Sequence, residues 1–385
     1  MSTIKVNKIE NTGTTDGGVE IDSSGHVQVD GLQMPTAGAL SSRRINVNGA
    51  MQVAQRGTVV NAGNEYGGPD RFKFVKNEGA YTISQDTDAP AGSGFSNSYK
   101  IDVTSAGNPA GSAGNVVLLE HRIEGQNLQL VKKGTSAAEK LTIQFWIKTS
   151  VTGTYILELK DVDNSRYISK AYTVSSADTW EYKTVVFDAD TTGAFDNDSN
   201  QSLVISWWLL AGSNFTSGTL STTWTSQTAA DRAVGQVNAC SSTSNNIFLT
   251  GIQIEVGEKA TPFEHRSFGD ELAGCQRYFT RSYAYGTATG TATRDGAVIS
   301  TAYSTINYAS AGTAFFPVEM RSAPSVTIYS SNDGGTGEVS ADSTDGGGSA
   351  GFTGTKSTFI RRANDSAGVA ANVYINAHYV ADAEL

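Results

Sequence analysis

The run Leu141–Lys148, LTIQFWIK, puts Leu141, Ile143, Phe145 and Ile147 on one face and Thr142, Gln144, Trp146 and Lys148 on the other. This period of two belongs to a strand with one face in a core and the other wet or covered. Extended runs recur at Val116–Leu119, Thr154–Leu159, Trp180–Phe187, Leu203–Leu210 and Ile247–Val256, with no helical run long enough to carry a crossover between them. Strands without crossovers pair antiparallel, so residues 46–268 are expected to form two packed antiparallel sheets. The sequence has 41 Gly but only 7 Pro. With its abundant Ser, Thr and Asn, that composition suits short strands joined by tight turns, and the whole chain is expected to be all-β.

At 385 residues the chain exceeds what one core usually organises, so two or three domains are expected. Residues 1–45 alternate in pieces of three or four: Ile4/Val6, Val19/Ile21 and Val27/Val29, each followed by a turn such as Asn11-Thr12-Gly13 or Asp30-Gly31. So short a segment cannot offset its chain entropy alone. It is expected to be either a flexible tail or a set of strands intertwined with copies of itself, closed by cyclic symmetry. From about residue 269 to 385 a second β-domain is expected, with runs at Tyr278–Tyr285, Thr313–Glu319, Ser325–Tyr329, Thr358–Arg361 and Val373–Val380. The Gly, Ser, Asp and Thr tract between Asn332 and Gly351 reads as a long exposed hairpin loop without core residues.

Between the two large domains lies GIQIEVGEKATPFEHRSFGDELAGCQRYF, residues 251–279. Ile252, Ile254 and Val256 alternate with Gln253 and Glu255 as a strand that Gly257 ends, and Asp270 is placed to cap a helical turn carrying Leu272 and Cys275. This segment resembles the end of the jelly-roll, carbohydrate-binding-like module of bacteriophage tail fibres. Asn46–Gly57, NVNGAMQVAQRG, resembles the segment that opens the same module. FPVEMRSAPSVTIYS resembles C-terminal fibre domains. The resemblance implies an antiparallel jelly-roll β-sandwich at 46–268, a virion-attachment or shaft segment at 1–45 and a β-sandwich-like receptor-binding tip at 269–385. It implies no reacting residues.

Lys and Arg number 28 against 38 Asp and Glu, a formal charge of −10, which leaves no basic stripe for nucleic acid. Repulsion from an anionic cell surface reaches only about a Debye length, roughly 8 Å, so attachment would rest on short-range contacts. The N-terminus, MSTIKVNKIENTG, lacks an apolar signal region, and no apolar stretch of about 18 residues is present, so neither secretion by a signal peptide nor membrane insertion is expected. Cys240 and Cys275 could pair, but a protein folded in a reducing cytosol keeps such thiols free.

Glycan hydrolysis would need two facing carboxylates, one with a raised pKa. Asp161/Asp163, Asp188/Asp190, Asp196/Asp198 and Glu255/Glu258 are candidates, although turn chemistry explains each of them as well. His26, His121, His265 and His378 are scattered without metal or nucleophile spacing. Asp196, Asp198 and Asn200 offer hard oxygens for a possible structural calcium, but Gln201 and Trp207 stand where an EF-hand needs Gly and Glu, and an Asx-rich turn is the alternative.

Sugar rings lie against exposed aromatic faces, with Asn, Asp and Arg satisfying their hydroxyls. Adjacent Trp207 and Trp208 must point to opposite faces of a strand, so Trp208 is a candidate, and Trp224 in STTWTSQ is another. Tyr303, Tyr308 and Tyr329, with Tyr283 and Tyr285, form a Tyr-dense set suited either to recognition or to strand formation, and Asn332 and Asp333 sit in the adjoining loop. The expected protein is a homotrimeric, non-catalytic tail-fibre subunit of the virion. It would contact other tail or baseplate proteins through its N-terminus and a host surface glycan or outer-membrane receptor through its tip. A tailspike-like polysaccharide depolymerase and a structural adaptor are the alternatives.

Overall fold

In the computed structural model, which describes residues 8–10, 18–21, 23, 25, 27–29, 32–34, 41–302, 309–362 and 369–385, nearly every regular element is a strand. The first four are β1 (Lys8–Glu10), β2 (Gly18–Ile21), β3 (Val27–Val29) and β4 (Leu32–Gln33), an antiparallel meander in that order. Ile9 pairs with Val19 and Val19 with Val29, while Ile21 pairs with Val27. Because residues two apart share a face, these five apolar side chains form one surface. All five are exposed, Ile9 to 63%.

Thirteen strands follow in the chain: β5 (Val59–Val60), β6 (Glu65–Tyr66), β7 (Phe72–Lys76), β8 (Ala80–Asp86), β9 (Ser98–Ser105), β10 (Val116–Glu124), β11 (Leu141–Thr149), β12 (Gly153–Asp161), β13 (Arg166–Val174), β14 (Glu181–Phe187), β15 (Gln201–Ala211), β16 (Thr225–Ser226) and β17 (Asn246–Val256). They make a seven-stranded sheet in the order β16-β13-β12-β15-β10-β7-β6 and a six-stranded sheet in the order β14-β11-β17-β9-β8-β5. The inner faces meet as in a jelly-roll sandwich: Phe145 on β11 sets its ring edge-on against Tyr172 of β13 at 5.1 Å and Trp207 of β15 at 5.9 Å.

The remaining strands, β18 (Phe279–Arg281), β19 (Val298–Ala302), β20 (Ala309–Phe315), β21 (Ser325–Ser330), β22 (Glu338–Ala341), β23 (Thr344–Gly351), β24 (Ser357–Arg362) and β25 (Val373–Asp382), form an eight-stranded antiparallel sheet in which β25 pairs with β18, β19, β21 and β22. Its core gathers Phe316, Met320, Ile328, Ile360 and Tyr379. By contact density the chain divides into two units: the described parts of Met1–Met51 with Val60–Glu65 and Lys73–Arg266, and Gln52–Val59 with Tyr66–Phe72 and Ser267–Leu385. Two short stretches from the sequence-defined module, around Arg56 and Arg71, thus group with the C-terminal β-domain.

Two expectations are corrected. The 332–351 tract is a hairpin, β22 with β23, but not one without core residues, because Val339 and Ala341 enter the core. Glycine makes this possible: a Cβ on Gly348 would lie 2.6 Å from Val339 Cγ2, so only a bare backbone lets that valine pack inward. The helix Phe268–Gln276 is capped by Ser267, not Asp270. The Ser267 hydroxyl accepts from Asp270 N–H at 3.2 Å and donates to the Asp270 carboxylate at 2.6 Å.

Candidate functional site

On β11 the alternation that buries Phe145 turns Trp146 to the outer face of the six-stranded sheet. There it meets Tyr182, its register partner on β14, with ring centres 5.5 Å apart. The Tyr182 hydroxyl donates to Gln144 Oε1, and Gln144 Nε2 donates to the Thr261 carbonyl at 2.9 Å. Burial raises the Tyr182 pKa, so the phenol stays neutral.

The chain beyond β17 folds back over this face. Glu255, only 1% exposed, accepts from Thr261 N–H at 2.9 Å and from the Thr261 hydroxyl at 2.6 Å, and Gln253 Oε1 accepts from Glu264 N–H at 2.7 Å. Gln253 and Glu255 are therefore buried instead of wet, because the turn that follows them uses them as anchors. Phe263 reaches Phe95, from the β8–β9 connection, edge-on at 4.8 Å, and His265 lies within 5.3 Å of Phe95. His265 has its pKa lowered by burial and then by the nearby Arg44.

The result is a cleft of about 570 Å³. Trp146, Tyr182 and Gly251 of the sheet line it together with Phe95 and Thr261–Phe263. Gly251 has φ +62, and a Cβ there would lie 2.8 Å from Phe95 and 3.0 Å from Trp146. The position needs glycine both for its left-handed backbone and for the space between the two rings. Beside the cleft, the β8–β9 connection is fixed by Asp88, which accepts from Trp180 Nε1 at 2.9 Å and ion-pairs with Lys148. Burial would push the Asp88 pKa up, but those two contacts outweigh it and hold the carboxyl below its usual range.

The expected site residues lie elsewhere. Trp208 is fully buried among Leu118, Ile156 and Ala233, under a guanidinium from Arg232 at 5.0 Å, so it cannot touch a soluble sugar. Both faces of β15 are covered, which lets Trp207 and Trp208 be buried on opposite sides. Trp224 is half-buried and donates Nε1–H to the Asp188 carbonyl at 2.7 Å. Tyr329 is half-buried in the C-terminal unit beside Tyr283, which stacks on His378 at 3.8 Å. Asn332 and Asp333 are exposed, and Asn332 Nδ2 donates to Asp345 at 2.9 Å. Tyr303 and Tyr308 lie outside the described residues.

Among the possible calcium ligands, Asp198 accepts from Asn200 N–H at 2.8 Å and from its amide at 2.6 Å, while Asp196 N–H donates to Asp163. The same acidic tract already surrounds an internal cation. The buried Lys133 ammonium sits 2.5 Å from Asp161, 3.1 Å from Asp190 and 2.8 Å from the carbonyls of Thr192 and Gly193. A separate group, Asp333, Glu338 and Asp345, brings its carboxylates within 4.8 Å of one another. Of the remaining acidic candidates, Asp188 pairs with Lys170 at 3.0 Å and Glu258 with Lys140 at 2.8 Å. Cys240 and Cys275 are free and buried, and burial raises the Cys240 thiol to about 12.

Sequence reasoning missed the Trp146 cleft as a site. The signal was present in the adjacent Phe145 and Trp146, since alternation forces one of two neighbouring rings off the core face.

No family model matches the chain, and no curated protein matches it. Solved structures that it is similar to include the enzymatically active domain of tailspike protein 4 from bacteriophage CBA120, at 13% identity and a TM-score of 0.29, matching 51% of this chain and only 21% of that one. A family 11 carbohydrate-binding module of a Clostridium thermocellum cellulase is similar at 12% identity and a TM-score of 0.26, over 55% of this chain and 98% of the module. A family 61 module in complex with β-1,4-galactotriose is similar at 8% identity and a TM-score of 0.29, over 57% and 100%. At such scores these likenesses decide nothing about what this chain binds.

Proposed function

We propose that this chain is a non-catalytic glycan-binding subunit of a phage tail fibre, and that it holds host surface sugar in the Trp146 cleft. The observation that carries this reading is the half-buried Trp146 ring beside the 46% exposed Tyr182 in an open cleft. Aromatic faces gain from the C–H surface of a pyranose what they lose in hydration, without charge or reaction. The jelly-roll fold and the fibre-like segments at 46–57 and 251–279 support the virion setting. The exposed apolar face of the N-terminal meander supports assembly into a trimer, which would turn weak single sites into firm attachment through effective concentration.

The test is binding of the purified chain to intact host surface polysaccharide, followed by affinity electrophoresis or calorimetry. Wild type is expected to bind without releasing reducing ends, and Trp146→Ala is expected to lose about tenfold or more in affinity, roughly one ring contact. Unchanged binding by the Trp146→Ala protein would remove the cleft from the reading. Release of new reducing ends would move the protein to the depolymerase class.

A further inference from the structure

We propose that the cleft selects an uncharged sugar that carries a methyl group, either the C6 methyl of a 6-deoxyhexose or the methyl of an acetyl substituent. The inference rests on the glycan-binding reading and concerns which sugar the same cleft accepts.

The first observation is charge. Among the described residues that line the cleft there is no Asp, Glu, Lys, Arg or His. Of the ionised groups near it, Arg43 lies 3.7 Å from Glu255, Lys148 is paired with Asp88, and Arg44 is buried behind Phe263, its guanidinium 5.0 Å from that ring. A uronate or sialate carboxylate entering here would be desolvated without a cation to meet it, a cost that excludes acidic sugars.

The second is hydrogen bonding. Four of the polar side chains that line the cleft, Ser93, Gln144, Tyr182 and Thr261, are already engaged inside the protein. Tyr182 donates to Gln144, Gln144 donates to the Thr261 carbonyl, the Thr261 hydroxyl donates to Glu255, and Ser93 donates to the Pro90 carbonyl at 2.5 Å. A fully hydroxylated hexose would leave water and find few free partners, whereas a 6-deoxyhexose carries no C6 hydroxyl and an acetyl substituent ends in a methyl, so neither directs a hydroxyl at the cleft from that position.

The third is shape. Phe95 and Phe263 touch edge-on, and His265 packs against both, at 5.3 Å and 4.8 Å. These rings give the end of the cleft above Gly251 an apolar lining, while the Tyr182 end lies on the edge strand β14. A sugar stacked on Trp146 thus directs one substituent at the phenylalanine pair, where a methyl is accommodated and a hydroxyl is stranded.

The experiment is a ligand-detected NMR titration of the full chain with matched free reducing sugars: L-rhamnose against L-mannose, N-acetylglucosamine against glucose, and glucuronic acid. One methyl-bearing member is expected to bind roughly tenfold or more tightly than its counterpart, as one well-buried methylene-sized group does in apolar pockets, and the pair that shows it identifies the source of the methyl. Glucuronic acid is expected not to bind. Phe263→Ala, with its folding checked by circular dichroism, is expected to bring the preference close to one while Trp146 still holds sugar. Equal binding of both members of each pair, tighter binding of glucuronic acid, or an unchanged preference in Phe263→Ala would overturn the selectivity and leave glycan binding standing. If no sugar binds and host polysaccharide is not retained either, the binding reading itself fails.

Discussion

The guanidinium of Arg71 lies 3.3 Å from the centre of the Tyr278 ring while ion-paired with Glu384. Arg56 repeats the arrangement, 3.7 Å over Phe279, with its own contacts to Glu384 at 3.2 Å and Asp382 at 3.0 Å. Gln55 Nε2 completes the joint by donating to Asp70 at 2.6 Å and to the Phe279 carbonyl at 2.9 Å. The two segments ending in QRG and in QRYF therefore meet in one buried packing unit.

Burial holds the Glu384 carboxyl above its usual range in spite of both arginines. Removing one of them leaves a buried charge poorly matched, and Arg71→Met is expected to cost about 3–5 kcal/mol in urea unfolding. Arg71→Lys, which keeps the charge but loses the flat stacking surface, should cost less, about 1–2 kcal/mol. Equal losses in both variants would show that charge alone matters there.

Lys133→Met is expected to destabilise the sandwich by about 3–5 kcal/mol, because Asp161 and Asp190 would then share a buried site without their ammonium. Since that cation is supplied by the chain, EDTA should leave the melting midpoint of the wild type unchanged. A lower midpoint in EDTA would instead show a bound ion, at Asp196, Asp198 and Asn200 or at Asp333, Glu338 and Asp345.

Gly251→Ala combines a left-handed backbone with a Cβ wedged between Phe95 and Trp146. It is expected to lose about 1–2 kcal/mol of stability. Sugar affinity should fall with it, since Phe95 must move. A variant as stable as wild type and with full affinity would mean that the two rings are not fixed.

Buried His378 accepts from Ser282 at Nδ1, donates from Nε2 to the Thr293 carbonyl at 2.9 Å, and has its pKa lowered by burial. A depressed histidine binds fewer protons folded than unfolded. Its contribution is therefore complete above the unfolded value of about 6.5 and is lost as pH falls through the lower folded value. The melting midpoint of wild type should drop between pH 7.5 and 5.5 more steeply than that of His378→Asn. Parallel curves would mean that the ring does not titrate differently on folding.

Light scattering of the full chain is expected to give about three times 40.5 kDa. Lysine at Val19 and Val29 together should reduce that to one, since like charges would face each other across the seam. A trimer that survives both lysines would have its contacts elsewhere.

Much of the sandwich was legible. The runs at 141–148, 154–159, 203–210 and 247–256 lie within β11, β12, β15 and β17, because long alternation is the strongest local signal a strand leaves. The strands β22 and β23 were not, since Gly346–Gly348 and Ser349 have no strand preference of their own and are held by ladders to β22 on one side and β24 on the other. The cleft was half legible. Trp146 was placed on the outer face, but the lining is completed by Phe95 and Phe263, far from it in the chain, and only the fold-back held by Glu255 brings Phe263 there. Trp208 misled because a strand in a sandwich can be covered on both sides, which alternation alone does not reveal.

Ile45 N–H donates to the Ile254 carbonyl, and Asn46 accepts from Ile254 N–H and donates to the Ile252 carbonyl. Arg43 reaches Thr261 and Pro262, Arg44 N–H donates to Glu264, and Arg266 donates back to the Arg44 carbonyl. The chain thus arrives and departs through one clamp. Tension applied between residues 41 and 266 would run across that clamp from one end directly to the other, and the two sheets with their cleft would hang beside the line of force, keeping their shape under a pull that would peel a module whose ends lay at opposite poles.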